Sequence, residues 1–371
     1  MPDPIVWRAP VCDPSGYAED ARLFLRGLWQ ARVPVALQPV TWGERVVQMS
    51  DDDAKMVAEF SATAAPIAAV CVNQLFPEQF MWSHDARRRC ARILFESDRV
   101  PAPWIAALQD VDAIWVASQF NVETFSASGI PAERLRVLPN AVDTEIFCID
   151  GPRMKLADLR SVVFLSVCDF NPRKGLDVLL QAWGNTFTAN DDVCLVLKTY
   201  SSAGRTAAQI ETDIQTYCAA LGFSRESLAP IILLSDIFST TELAALYRRA
   251  NCFVLPTHGE GWGRTITEAM ACGVPVITSR WGAPLDYLHD DNAYLIDGAT
   301  TSVPDVAVRY NHHFAGHHWF APDVGHCSEL LCRVAGDPDT AQHKAQRAAA
   351  EISKKYSVAA VTQQLLALLA E

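Results

Sequence analysis

The sequence predicts an α/β chain of two similar halves, with parallel sheets and a cleft between them. Three observations carry this expectation. Short β-rich runs alternate with helical patterns from end to end, the pattern of strands joined by crossover helices. The chain has 371 residues, more than one hydrophobic core usually serves. Every motif with chemical character falls just after an expected strand, at the carboxyl edge where such sheets bind ligands.

The elements follow in order. Residues 5–8 read as the first strand, Ser15-Gly16-Tyr17 as a turn, and 18–31 as an amphipathic helix. Further strands are expected at 33–38, 67–73, 91–96, 113–117 and 135–138, with helices at 101–110 and 119–128. Asp150-Gly151-Pro152 punctuates a polar seam over 143–159. The first domain is therefore assigned to 1–150 and the second to 151–356. In the second, strands are expected at 162–167, 193–198, 230–234, 252–256, 274–278 and 293–296. Helices are expected at 174–186, 206–221, 239–250 and 263–272, and the tail reads as helical at 322–335, 339–355 and 358–370.

Composition narrows the function. The net charge is −12, and a polyanion-binding surface needs clustered Lys and Arg, so nucleic-acid binding is disfavoured. Arg87-Arg88-Arg89 with Arg92 is the notable basic cluster, read either as a solvated helix face or as a contact with an anionic acceptor or lipid surface. The N-terminus lacks an apolar core behind a basic start, so no signal peptide is expected. No run of 18 or more apolar residues suggests a membrane span. The 11 cysteines are scattered without a Cys-x-x-Cys pair, which suits reduced thiols in the cytoplasm and no zinc ribbon.

The most informative stretch is 258–276, opening His258-Gly259-Glu260-Gly261-Trp262-Gly263-Arg264-Thr265. Glycines let a backbone approach a ligand, and the start of the following helix offers free amides to an anion. Glu260 and Glu268 flank that start, roughly 8–12 Å apart at about 1.5 Å per helical residue. Carboxylates so placed can grip hydroxyls on both sides of a diphosphate: Glu260 those of a donor sugar, Glu268 those of a ribose. The plainer alternative is a helix-capping acid and a solvated helical acid.

A second element, Asn171-Pro172-Arg173-Lys174-Gly175, ends a strand and opens a helix. Cations at a helix start oppose the macrodipole, and a diphosphate held between Arg173, Lys174 and the amides would reconcile them. Lys198, ending a neighbouring strand, is either a third donor-binding cation or a snorkelling edge lysine. Asp13-Pro14-Ser15-Gly16-Tyr17 supplies one glycine at the first strand end, so Gly16 is either a diphosphate contact or an ordinary turn. The dinucleotide fingerprint Gly-x-Gly-x-x-Gly is missing, which argues against a nicotinamide or flavin enzyme. Glu96 and Asp98 are acceptor-side candidates, Glu96 also as an orienting or charge-stabilising carboxylate; the alternative is pairing with Arg99 or capping the helix at Pro101. Asn73 and Gln74 end an adjacent strand and add polar candidates on the acceptor side. Asp51-Asp52-Asp53 resembles an Asp-x-Asp metal motif, but its place before a helix reads as a cap. His312, His313, His317 and His318 have no acid or cysteine at obvious ligand spacing, so no metal site is assigned.

Taken together, these residues resemble the retaining glycosyltransferases of family 4, which have the GT-B fold. The resemblance rests on Glu260 and Glu268 in the Glu-x7-Glu pattern, on Arg173-Lys174-Gly175, and on the path from Asp112 through Ser118 to Leu138-Pro139-Asn140-Ala141-Val142-Asp143. It is strong in the second half and diffuse over residues 1–90. It implies two Rossmann-like domains with parallel sheets facing each other across a cleft, a nucleotide-sugar donor on the second domain, an acceptor on the first, and a final helix, 357–371, returning to the first. It places Ile237 and Phe238 at the base, and the backbone of Gly261, Trp262, Gly263, Arg264 and Thr265 around the sugar and phosphates. Two departures stand out. Cys168 occupies the position where many relatives carry a further arginine, and Asn73-Gln74 and Glu96 stand where relatives place a histidine.

The expected reaction is hexose transfer, with retention and without a metal, from a nucleotide-diphosphate sugar of GDP-mannose or UDP-glucose type. Domain closure would exclude water. The acceptor would be a hydroxyl of a glycan or lipid-linked glycan in cell-surface polysaccharide synthesis, at or near the inner membrane surface. The alternatives are a sugar-nucleotide epimerase of the same fold and a catalytically silent scaffold for a protein partner.

Overall fold

A computed structural model describes residues 4–42, 46–47, 49–67 and 69–371. The chain divides into two compact units, Met1–Asp143 with Lys354–Glu371, and Thr144–Ser353.

In the first unit, β1 (Ile5–Pro10) and α1 (Gly16–Gln30) are followed by β2 (Val35–Val40), α2 (Asp51–Ala62), β3 (Val70–Asn73), β4 (Arg88–Arg92), α3 (Ala102–Leu108), β5 (Ala113–Val116), α4 (Gln119–Ala127) and β6 (Leu135–Val137). The third strand, expected from residue 67, begins at Val70, and residue 68 lies outside the described residues. The strands pair in parallel in the order β2-β1-β3-β4-β5-β6. Such a sheet is covered on both faces, so its strands are buried apolar runs. Trp7, Phe24, Leu28 and Trp115 fill this core together with Val361 and Leu365 of the C-terminal helix Val358–Ala370.

Two local readings change here. The basic run is a strand, β4, and not a solvated helix face. Arg92 is 1% exposed, with Nη2 3.2 Å from Asp20 Oδ2 and 2.6 Å from Asn140 Oδ1, while Arg88 donates to the Leu368 carbonyl at 2.8 Å. Partners brought from distant segments make burial of these charges possible, which no local pattern could reveal. Asp51, Asp52 and Asp53 lie in the first turn of α2, whose cap is Ser50, and Asp53 binds Arg26 at 2.7 Å.

In the second unit, β7 (Val162–Asp169), α5 (Leu176–Thr186), β8 (Val193–Tyr200), α6 (Ala207–Ala220), β9 (Ile231–Leu234), α7 (Thr240–Arg249), β10 (Cys252–Leu255), α8 (Arg264–Ala271), β11 (Val276–Ser279) and β12 (Tyr294–Ile296) form a second parallel sheet in the order β12-β11-β10-β7-β8-β9. This is the doubly wound Rossmann order. Winding reverses between β7 and β10, so a crevice opens at their carboxyl ends. Next come β13 (Gly298–Ser302), α9 (Asp305–Tyr310) and β14 (His318–Pro322), with the two strands antiparallel. The sequence reading has no strand here: β13 is exposed along its whole length and shows no apolar alternation. α10 (Val324–Gly336) and α11 (Pro338–Tyr356) complete the unit and lead back to the first.

Candidate active site

The site is built at the reversal point, from the loops that leave β7 and β10. After β7, residues Pro172–Lys174 make one tight 3-10 turn, so Arg173 and Lys174 precede α5 and do not begin it. Gly175 ends the turn at φ +66°, a left-handed conformation that costs a residue with a Cβ about 1–2 kcal/mol. Its missing side chain also matters, because a Cβ there would lie 1.8 Å from the Pro256 carbonyl oxygen. The two loops therefore run in backbone contact. His258 N donates to the Arg173 carbonyl at 2.8 Å, and the Thr257 hydroxyl lies 3.0 Å from the same oxygen.

This stitching brings the predicted cations to the predicted acid. Lys174 Nζ lies 2.6 Å from Glu260 Oε1, and Arg173 Nη1 lies 3.2 Å from Glu260 Oε2. Thr257 Oγ1 is 3.2 Å from Glu260 Oε1, and Arg173 also donates to the Gly259 carbonyl. Glu260 is 5% exposed. Burial by itself pushes its pKa up, but Lys174 and Arg173 outweigh burial and hold it below the ordinary 4.5. A depressed carboxylate pKa stabilises the fold above the unfolded value and loses that contribution as pH falls through the folded value. Glu260→Gln is therefore expected to be less stable than wild type at neutral pH. The gap should close only well below pH 4.5, as followed by urea unfolding at successive pH values.

Beyond the acid, Gly263 at φ +92° turns the chain into α8 without a side-chain cap. Gly261, Gly263, Arg264 and Thr265 thus present the backbone of the turn and the first helical residues. Trp262 is expected to contribute its backbone, and its side chain packs inward. Its ring is 2% exposed and packs 4.9 Å from that of Tyr287, whose hydroxyl donates to the Trp262 carbonyl at 2.6 Å. The side chain is a wedge under the turn. One helical turn on, Glu268 is held between Arg264 Nη2 at 2.9 Å and the buried Tyr247 hydroxyl at 3.1 Å. Burial and the adjacent Glu268 raise the Tyr247 pKa, so the hydroxyl stays a donor.

Lys198 lies inside β8, two residues before its end, in the strand beside β7. Its ammonium sits 5.0 Å from the Phe238 ring centre and 5.9 Å from that of Tyr200, and burial lowers its pKa. Lys198 is 7% exposed, which rejects the snorkelling alternative. Ile237 is 58% exposed beyond β9. Cys168, in the position of the family's further arginine, is a buried thiol pushed up to about 12 by burial.

The first-unit candidates divide. Asn73 and Gln74 are buried and used internally. Asn73 Nδ2 donates to the Met81 carbonyl at 3.0 Å, and Gln74 joins Trp7 Nε1 at 3.1 Å to Asp20 Oδ2 at 3.0 Å. They tie the end of β3 to the loop at Met81, to β1 and to α1, which corrects their reading as acceptor-side contacts. Asp98 pairs with Arg99 at 2.8 Å, the alternative noted above. Glu96 is half-buried in the loop before α3. It lies close enough to Tyr17 to help burial raise that phenol's pKa. Gly16 is exposed at the start of α1, where Ser15 accepts from Ala18 N and Asp13 from Ser15 N. Sequence reasoning missed Thr257, His258 and Tyr247 as functional residues. Thr257 and Tyr247 have no motif of their own, while His258 stood in the glycine-rich stretch without an evident partner.

A doubly wound sheet with paired cations and acids at its reversal point defines a Rossmann-type unit. Residues 161–308 match the family described as Glycosyl transferases group 1. The sequence is 24% identical over 219 residues to a D-inositol 3-phosphate glycosyltransferase of Acidothermus cellulolyticus, covering 55% of this chain and 48% of that protein. It is 28% identical over 234 residues to a GDP-mannose-dependent alpha-(1-6)-phosphatidylinositol monomannoside mannosyltransferase of Mycolicibacterium smegmatis, covering 57% and 58%. The chain thus spans about half the length of the curated relatives it matches. The fold extends further. Anabaena HepE in complex with UDP and glucose superposes with a TM-score of 0.67 over 100% of both chains at 14% identity. A sucrose-phosphate synthase of Thermosynechococcus elongatus gives 0.67 over 99% of this chain and 98% of that one at 17% identity. The chain has the GT-B fold.

Proposed function

We propose that the chain transfers a hexose, with retention, from a nucleotide-diphosphate sugar to a hydroxyl of a glycan or lipid-linked glycan. The observation that carries this reading is the closure of Arg173 and Lys174 on Glu260 at the reversal point, directly before the start of α8. The cations and the acid satisfy one another. A carboxylate has about four acceptor sites and an ammonium three donors, so each keeps capacity for a ligand. The diphosphate lies against Arg173, Lys174 and the first amides of α8, and Glu260 accepts from the sugar hydroxyls. As the bond from the anomeric carbon to the phosphate oxygen breaks, negative charge grows where these donors already point. The acceptor oxygen bonds to the anomeric carbon on the same face, and its proton passes to the departing phosphate oxygen. The products are the glycoside and the nucleoside diphosphate. Lys198, Ile237 and Phe238 serve the nucleotide, with the ring of Phe238 beside the base. Glu96 and Asp98 remain the acceptor-side candidates, with Gly16 a further backbone contact.

GDP-mannose and UDP-glucose are the two donors in view, the first on the name of the mannosyltransferase relative and the second on HepE. A polysaccharide or lipid-linked acceptor suits a cytoplasmic enzyme working at the membrane face. Among the described residues no helix is long and apolar enough to cross a membrane, and no group of His, Cys, Asp and Glu is arranged to hold a metal.

The test is calorimetric titration with UDP and GDP, followed by release of nucleoside diphosphate from UDP-glucose or GDP-mannose. Binding of neither nucleotide would sink the reading, and an epimer formed from donor alone would replace it. Glu268→Gln is expected to weaken nucleotide binding about tenfold, a loss of about 1.4 kcal/mol for a charge-assisted ribose contact. Turnover at saturating donor should change much less. An unchanged dissociation constant would remove Glu268 from the ribose.

A further inference from the structure

The excursion β13–α9–β14 touches both loops of the site, at residues that no motif marks. Tyr310, the last residue of α9, places its hydroxyl 3.2 Å from Asp169 Oδ2 and 2.9 Å from Ser202 Oγ. Asp169 also accepts from Ser202 N at 2.8 Å, Ser202 Oγ at 2.6 Å and Asn171 Nδ2 at 3.0 Å. Four donors therefore hold this carboxylate at the end of β7, where the cationic turn begins. At the other end of the excursion, Trp319 of β14 stacks on His258, with ring centres 4.5 Å apart and planes 13° from parallel. His258 Nδ1 donates to the Phe320 carbonyl at 2.7 Å, and Phe320 N returns a bond to the His258 carbonyl at 2.9 Å. His258 N in turn holds Arg173 O.

Asp169 is a negative charge four residues before Arg173, in a site that has to attract a diphosphate. Released from these donors, it would compete with Glu260 and the ligand for the guanidinium, at a cost that grows as water is excluded. Tyr310 joins Ser202 Oγ and Asn171 Nδ2 on Oδ2 and helps to hold the carboxylate toward Ser202. Burial raises the phenol's pKa, so it remains a donor at neutral pH.

We infer that β13–α9–β14 is a brace for the phosphate grip. Tyr310 is the positioning residue that keeps Asp169 away from Arg173 and Lys174, and Trp319 the one that fixes the loop carrying His258 and Glu260. This rests on the proposed nucleotide-sugar site for its purpose, though not for its geometry.

The experiment has two layers. Amide hydrogen exchange on the full chain tests the brace without a ligand. Tyr310→Phe should speed exchange within 169–175, and Trp319→Ala within 256–260, while Trp319→Phe stays close to wild type and the first unit is unchanged. Unaltered exchange in those segments overturns the inference. Titration with UDP and with GDP tests the purpose. Tyr310→Phe should bind the preferred nucleotide about fivefold more weakly. Asp169→Asn alone should stay within about twofold of wild type, and adding it to Tyr310→Phe should restore affinity. A neutral Tyr310→Phe, or a double variant that is not restored, overturns the role given to Asp169. If wild type binds neither nucleotide, the functional proposal fails, and the exchange comparison still decides the brace.

Discussion

Lys174→Ala is expected to cut sugar transfer by about 10²-fold or more, the usual consequence of losing a preorganised donor at a developing charge. The variant loses the 2.6 Å contact from Lys174 to Glu260, and with it the ammonium aimed where the departing phosphate gathers charge. Arg173 remains 3.2 Å from the same carboxylate, so Glu260 is not stranded and the fold should survive with a modest loss of stability. Weakened opposition to burial lets the Glu260 pKa rise toward its ordinary value. The defect should therefore appear in turnover more than in donor affinity, because ground-state binding keeps Arg173 and the α8 amides. Lys174→Arg restores charge with a different fork of donors and should recover part of the rate. Release of nucleoside diphosphate under saturating donor reads the effect. Turnover within a few-fold of wild type for Lys174→Ala would end the assignment.

The parts of this site that sequence made legible are those with their own chemical signature. Arg173-Lys174-Gly175 and Glu260 stood out because cations at a helix start and acids among glycines each need a reason, and they meet in one place. The residues that join them carry no such signature. Thr257 is an ordinary threonine until its hydroxyl is found between the Arg173 carbonyl and Glu260. Tyr247 lies 21 residues from Glu268 and is recognisable only once α7 packs beside α8. Periodicity likewise gave the parallel strands, whose buried runs are strongly patterned, and missed β13, whose exposed Ala299-Thr300-Thr301-Ser302 has none. Asn73 and Gln74 went wrong for one shared reason. Polar residues at strand ends are as useful for lacing a fold together as for meeting a ligand. Burial decides between the two, and local sequence does not report it.

The same reasoning yields a prediction about a residue with no side chain at all. Gly175→Ala is expected to destabilise the second unit by at least about 3 kcal/mol, or roughly 6–12 °C in Tm for a unit of this size. Two costs combine. The left-handed conformation at φ +66° accounts for about 1–2 kcal/mol. The remainder comes from a Cβ 1.8 Å from the Pro256 carbonyl oxygen, a backbone atom that no rotamer change can move aside. Relief requires the loop after β7 to draw back from the loop after β10. That would stretch the His258–Arg173 backbone bond and pull Lys174 from Glu260, so activity should fall along with stability. Gly204→Ala provides the internal control, since Gly204 has φ +83° with nothing within 4 Å of an added Cβ, and so it bears the conformational cost alone. If calorimetric melting showed Gly175→Ala no more damaging than Gly204→Ala, the close approach of the two loops would be refuted. The pairing of cations with acid that depends on that approach would be refuted with it.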